Sequence, residues 1–341
     1  MSFYSEIMEQ PEAARRLLAA FGSSEYRMET EKLLQMVKKA APAQFVFTGM
    51  GSSLFVSYIA ASILRRAGIS AVSLEAREAI SFDRPIIQEN TILVAISQSG
   101  NSLETVEFCE LYKDFPNLVT VTNLKTSNLH KYGTVRFTLE AGPEKHTATK
   151  SYTNTVLAIL YMAYVLVGRD LENLYADVEK MAGTMETLLS EPVGDLVDFW
   201  EGSSFTALVG SGVSYCTVSH ASLVLMEAAH INAAYYTVGQ FIHGPIEIID
   251  EHFCTILFDF EPEVRRDLDR VADLTLQYGG KVLLLTNRTD VQSRENLRII
   301  SMDCPNPMLS PMADILPIEL MTLEIGIRAG LHPGDLYRVH K

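Results

Sequence analysis

Short apolar runs recur along the chain, separated by stretches with helical periodicity. The runs fall at residues 45–48, 71–74, 91–96, 118–122 and 135–139, and again at 205–209, 233–236, 254–258, 282–285 and 298–301. Their length and their β-branched and aliphatic content predict strands. Strands alternating with helices predict parallel sheets covered on both faces. Each run of the second set lies roughly 160 residues after its counterpart, a spacing of domain length that reads as duplication of one fold. The glycines follow the same rhythm. Gly49-Met50-Gly51-Ser52-Ser53 closes the first run of one set, and Gly210-Ser211-Gly212-Val213-Ser214 closes the first run of the other.

The flanking sequence is helical. Residues 5–21 and 28–40 predict two helices broken by Gly22-Ser23-Ser24, and 171–200 predicts a helical connector. The apolar stretch 156–167 is too short to span a bilayer and predicts a buried helix. Another helix is expected near 318–329, followed by a short polar tail containing Pro333-Gly334. The expected layout is therefore N-terminal helices 1–40, an α/β domain 41–170, a connector 171–200, a second α/β domain 201–330 and a tail 331–341.

Composition narrows the function classes. The chain has 341 residues, 48% hydrophobic and 21% charged, which suits two globular domains. The net charge of −14, with no Lys/Arg cluster against it, argues against nucleic acid and against an anionic membrane surface as partners. Cys109, Cys216, Cys254 and Cys304 form no CxxC pair and suit a reducing compartment. The N-terminus lacks the basic-then-apolar pattern of a signal peptide, so a cytoplasmic location is expected. No HExxH or metal-type Cys/His spacing occurs, and neither metal nor cofactor is expected.

The candidate chemistry begins at Ser97-Gln98-Ser99-Gly100-Asn101-Ser102, between an apolar run and a helix start. Hydroxyls, an amide side chain and backbone N–H groups meet there, an arrangement suited to a phosphate held by neutral donors and a helix dipole. Read alone, the stretch also fits an ordinary polar turn. Glu227 sits on an otherwise apolar helix predicted over 219–231. It reads either as a desolvated carboxylate with a raised pKa, suited to moving protons, or as part of a solvated stripe with His220 and His230. His243 precedes the rigid Gly244-Pro245 turn and on its own fits a structural role.

These motifs together resemble the sugar isomerase (SIS) family, more closely the double-SIS isomerase half of glucosamine-6-phosphate synthase and the related fructosamine-6-phosphate deglycases. The resemblance rests on EIMEQP (Glu6 to Pro11), GMGSSL, ISQSGNS, GPEKHTATKSYT (Gly142 to Thr153) and LMEAAHINAAYYTVGQFIHGPIEIID (Leu225 to Asp250). It implies two tandem SIS domains, each a flavodoxin-like parallel sheet with helices on both faces. It further implies phosphate contacts from Ser53, Ser97, Gln98, Ser99 and Ser102, and a substrate-lining segment with Thr147 and Thr149. Glu227 would be the catalytic carboxylate, and His243 would assist ring opening from a neighbouring subunit. Lys341 aligns with a lysine that forms a Schiff base in the synthase; as a terminal lysine it equally fits a solvated role. The resemblance also implies a homo-oligomer, a dimer or dimer of dimers, with shared active sites and a small sugar phosphate as partner.

Two departures shape the expected activity. No glutaminase module stands ahead of these motifs, which weighs against a glutamine-dependent synthase. Val224 stands one helical turn before Glu227, where the synthase carries a lysine, and an apolar side chain cannot do imine chemistry. The similar deglycases also have a Leu-Met-Glu run. The expected function is therefore a phosphosugar deglycase that releases an amine, a hydrolase in net effect, from a 6-phosphorylated fructosamine. A plain hexose 6-phosphate aldose–ketose isomerase and a non-catalytic phosphosugar sensor are the alternatives.

Overall fold

A computed structural model of the protein describes residues 2–338. The chain opens with α1 (Phe3–Met8), α2 (Gln10–Phe21) and α3 (Ser24–Ala40). The first α/β stretch follows as β1 (Gln44–Gly49), α4 (Ser52–Arg66), β2 (Ala71–Glu75), α5 (Ala76–Ser81), β3 (Thr91–Ile96), α6 (Leu103–Leu111), β4 (Leu118–Thr122), α7 (Asn128–Tyr132), β5 (Val135–Thr138) and α8 (Lys150–Val167). Helices α9 (Leu171–Ser190) and α10 (Gly194–Trp200) lead to the second stretch. It comprises β6 (Phe205–Gly210), α11 (Ser214–Ala229), β7 (Ala233–Tyr236), α12 (Val238–Ile242), β8 (Phe253–Asp259), α13 (Arg265–Gln277), β9 (Lys281–Thr286) and β10 (Leu297–Ser301), then α14 (Ser310–Ala313) and α15 (Leu316–Arg328).

Both sheets are five-stranded and parallel. The first has the order β2-β1-β3-β4-β5 and the second the order β10-β9-β8-β6-β7. Written from the first strand of each set, these are the same topology. The central strands β3 and β8 are buried at every position, which is why their sequences read as unbroken apolar runs rather than alternating ones. One core gathers Val46, Leu93, Ala95, Phe108 and Leu118; the other gathers Ala207, Val209, Phe241, Leu257 and Leu284.

The single helix expected over 5–21 is two helices. Pro11 has no N–H to give to the Ile7 carbonyl, so the i→i−4 ladder fails there and the chain breaks at Glu9. Ser2 and Ser5 form a capping box that starts α1.

The compact units are not contiguous in sequence. One consists of Glu12–Pro143 and Lys150–Glu179; the other takes residues up to Pro11, Glu144–Thr149 and everything from Lys180 onward. Buried polar side chains explain the assignment of the small pieces. Glu6 of α1 binds the backbone of Lys145 and His146, and Gln10 donates to the carboxyl of Glu319 on α15. The N-terminal helices thus do not form a body of their own: α1 goes with the later half, and α3 packs on β5 of the earlier one.

Glu319 and Asp314 are fully buried, and burial pushes both carboxyl groups well above the ordinary carboxylate range. A folded state that keeps a proton the unfolded chain has lost becomes less stable as pH rises from the unfolded pKa toward the folded one. Each unit of difference is about 1.4 kcal/mol. Glu319→Gln keeps the shape and a partner for Gln10 without an ionisable group. Its melting temperature should exceed that of the wild type at pH 8, and the gap should close toward pH 4–5. An equal difference at both pH values in paired thermal melts would refute this reading.

Candidate functional site

In the first sheet the strand order reverses between β1 and β3, the place where open α/β sheets bind ligands at the carboxyl ends of their strands. Both candidate phosphate-binding stretches emerge there. Gly49, the last residue of β1, has room for nothing more. A Cβ would lie 2.8 Å from the Ile96 carbonyl and 3.0 Å from the Cβ of Ser53. The end of β3 and the first turn of α4 are therefore in near contact, and Ser53 starts beside the strand that delivers Ser97.

The loop after β3 is internally braced. Ser97 is buried, and its hydroxyl lies 3.0 Å from that of Ser102 and accepts from the Gly100 N–H at 3.2 Å. Gly100 has φ +63°, and a Cβ there would lie 2.2 Å from the Ser127 hydroxyl and 2.7 Å from the Thr122 hydroxyl. Its carbonyl takes the Leu129 N–H at 2.9 Å, while the Gln98 carbonyl takes the Asn123 N–H at 3.0 Å. The loop after β4 thus holds the loop after β3 from behind. Gln98, Ser99 and Ser102 remain half-buried rather than enclosed. Ser102 is the N-cap residue of α6, yet its side chain makes no capping hydrogen bond. At the start of α4 the N-cap is Gly51, which has no side chain to offer, and the Ser53 N–H donates to the Met50 carbonyl at 3.1 Å. Helix α6 thus begins beside β3 with no capping hydrogen bond from its N-cap side chain, and helix-start N–H groups are donors suited to an anion.

The equivalent reversal in the second sheet lies between β6 and β8, and there the chain supplies its own anion. Glu261, two residues past β8, is buried and accepts the Val213 N–H at 3.0 Å, one residue before α11 begins. Gly212 has φ +63°, and a Cβ on it would lie 2.3 Å from the Glu261 carboxylate. One half has Ser-Gln-Ser-Gly at this place and the other has Asp259-Phe260-Glu261. Comparing the two halves is the sequence signal that would have found Glu261.

Helix α11 carries Glu227 near its C-terminal end. Glu227 is half-buried, so the enclosure suggested by its apolar neighbours is partial. The solvated-stripe alternative also fails as a whole. His220 is fully buried, and burial pushes its imidazole down to about 3, while His230 is exposed in a left-handed conformation that ends the helix. Val224 is completely buried and acts as a packing residue. Behind Glu227, Gly326 of α15 allows close approach, since a Cβ would lie 2.9 Å from the Ala228 carbonyl. His243 is exposed at the end of α12, which is anchored by buried Val238 and Phe241. Thr147 and Thr149 are buried in the same unit as Glu227. The Thr149 N–H and hydroxyl donate to Glu144 at 3.1 and 3.2 Å, whereas the Thr147 hydroxyl has no hydrogen-bond partner among the described residues. The expected role of Lys341 falls outside the described residues.

Among the described residues no group of three or more His, Cys, Asp or Glu side chains is placed to hold a metal ion, and no helix is long and apolar enough to cross a membrane.

Comparison with known proteins finds similarity over part of this architecture. Residues 20–166 match the SIS domain. The isomerizing glutamine–fructose-6-phosphate aminotransferase of Thermotoga maritima is 28% identical over 263 residues, 73% of this chain and 43% of that protein. These matches make residues 20–166 similar to an SIS domain and a larger part of the chain similar to the aminotransferase. The C-terminal domain of glucosamine-fructose-6-phosphate aminotransferase from Francisella tularensis has the same fold, with a TM-score of 0.84 at 20% identity over 98% of this chain and 97% of that one. Tagatose-6-phosphate ketose/aldose isomerase from Escherichia coli gives 0.82 at 17% identity, over 99% and 97%. The chain spans about half the length of the curated relatives it matches.

Proposed function

We propose that the protein is a phosphosugar enzyme built from two SIS domains, acting on a 6-phosphorylated fructosamine to release an aldose 6-phosphate and a free amine. The observation that carries the sugar-phosphate reading is the braced Ser97–Ser102 loop at the strand-order reversal, beside an α6 N-terminus without a side-chain cap. In this reading Ser53, Ser97, Gln98, Ser99 and Ser102 hold the phosphate. His243 assists ring opening, and Thr147 and Thr149 line the sugar. Glu227 takes a proton from C1 of the open aminoketose and returns it at C2. The product is an aldimine, and water adds to its carbon and expels the amine. Val224 supports amine release over amine incorporation, because the position one turn before the base is apolar and buried. Lys341 is proposed as a further contributor through its ε-amine, and the active protein as a dimer or dimer of dimers with shared sites.

The fold match to a tagatose-6-phosphate ketose/aldose isomerase keeps simple isomerisation as a second reading, since it needs the same phosphate loop and the same base. The deciding experiment offers purified protein a panel of 6-phosphorylated Amadori compounds beside fructose 6-phosphate and tagatose 6-phosphate, with products followed by mass spectrometry. Amine release from the panel, without interconversion of the plain ketose phosphates, is the expected result. Turnover of the ketose phosphates alone would establish the isomerase instead. Binding without turnover of any compound would leave a sensor and overturn both.

A further inference from the structure

One imidazole joins three parts of the second unit that are far apart in sequence. His146 lies between Glu6 of α1 and Asp335 of the C-terminal stretch. Glu6 is fully buried, and its carboxylate accepts the N–H of Lys145 at 2.8 Å and of His146 at 3.3 Å. The same carboxylate lies 2.9 Å from His146 Nδ1. On the other side of the ring, Nε2 is 3.6 Å from the Asp335 carboxylate, which is largely exposed. The backbone repeats the connection, with the Thr147 N–H donating to the Gly334 carbonyl at 3.2 Å. Gly334 has φ +90°, and a Cβ there would lie 2.8 Å from the His146 Cβ and 2.9 Å from the Phe3 Cβ. The stretch, α1 and segment Glu144–Thr149 thus meet with no space to spare.

The same stretch reaches the helix of Glu227. A Cβ on Gly326 would lie 2.7 Å from Pro333 Cγ and 2.9 Å from the Ala228 carbonyl, so Pro333 packs where α15 crosses the turn carrying Glu227. Further on, the Tyr337 ring meets His230 edge-on at 5.6 Å, and its hydroxyl accepts the His332 N–H at 2.9 Å.

We propose that Glu6, His146 and Asp335 form a positioning relay that docks residues 331–338 against the Glu227 turn and fixes the Thr147 segment. The relay rests on the reading of Glu227 and Thr147 as parts of a sugar-phosphate site. His146 is a positioning residue in this scheme. Glu6 holds its Nδ1 side, and Asp335 ties the C-terminal stretch to its Nε2 side. The Thr147 hydroxyl, buried beside this junction, is thereby held ready for a ligand.

The test uses the full chain with Asp335→Ala, His146→Asn and the double variant. Asp335 is exposed, so its loss does not threaten the core, and Asn at 146 supplies an amide donor for Glu6 while abandoning Asp335. Hydrogen exchange in peptides covering 331–338 and 144–149 should quicken about tenfold or more in Asp335→Ala, with the Ser97–Ser102 loop unchanged. With a responsive phosphosugar, kcat should fall about ten- to a hundredfold at nearly constant KM. The double variant should lose no more than either single one, because both cut the same link. His146→Ala, which also abandons Glu6, should lose more than His146→Asn. Unchanged exchange in both segments, or fully additive losses, would overturn the relay. The exchange measurement needs no turnover. A protein that turns over no phosphosugar therefore defeats the functional reading while the relay is still decided.

Discussion

Glu227→Gln should lower kcat/KM on a responsive phosphosugar by about 10²–10⁴-fold, the range expected when a positioned general base is lost. Gln keeps the size of the side chain and cannot take a proton. Glu227 is half-buried on α11, so the exchange leaves no buried charge behind and should fold normally. Phosphosugar affinity, measured by calorimetry, should stay within a few fold, because the phosphate is assigned to the Ser97–Ser102 loop. Near-full turnover by the variant would remove Glu227 from the chemistry. A large loss of affinity with unchanged kcat would make it a binding residue instead.

Gly100→Ala should weaken sugar-phosphate binding by at least about tenfold. Two costs combine at this position. A non-glycine residue held at positive φ costs roughly 1–2 kcal/mol of stability with or without ligand, so the loss of affinity comes from the second cost, where about 1.4 kcal/mol is a factor of ten. The added Cβ would also lie 2.2 Å from the Ser127 hydroxyl and so push the loop off the support behind it. Gly68→Ala is the matched control. Gly68 also has positive φ, at +78°, but a Cβ there meets nothing within 4 Å. It should lose stability without losing affinity. Titration of both variants with fructose 6-phosphate separates the outcomes, and equal affinity in Gly100→Ala and the wild type would show that the loop is not the anchor.

The strands were legible because they are buried on both faces. Runs such as 91–96 carry no competing polar signal, and the observed β3 ends where the run ends. Strand ends moved by one residue where the terminal position is polar or glycine, as at Gln44 and Gly49 in β1. The candidate phosphate loop was visible as a cluster of hydroxyl residues, but its support was not. Thr122 ends β4 and Ser127 caps α7, and they bear on the loop through the space they deny to a Cβ on Gly100 and through the Thr122 hydroxyl, which donates to the Gln98 carbonyl at 3.3 Å. The unit assignment of α1 and Glu144–Thr149 was equally hidden, since it depends on Glu6 meeting residues about 140 positions away. His220 shows the limit of helical spacing. It falls at a register that suggested a shared face with Glu227, and tertiary packing buried it.

The Glu261 carboxylate on the N–H of Val213 is, in effect, a ligand that cannot leave. An anion joined to the chain has a fixed local concentration, so the second unit keeps its helix start satisfied whatever the surroundings contain. A free anion stabilises its host by about 2.7 kcal/mol at a hundredfold excess over Kd and by nothing when absent. If a sugar phosphate occupies the Ser97–Ser102 loop as proposed, the helix start it meets belongs to the first unit. The second unit has the α11 helix start satisfied by its own carboxylate, whereas the N-cap side chain of α6 in the first makes no capping hydrogen bond.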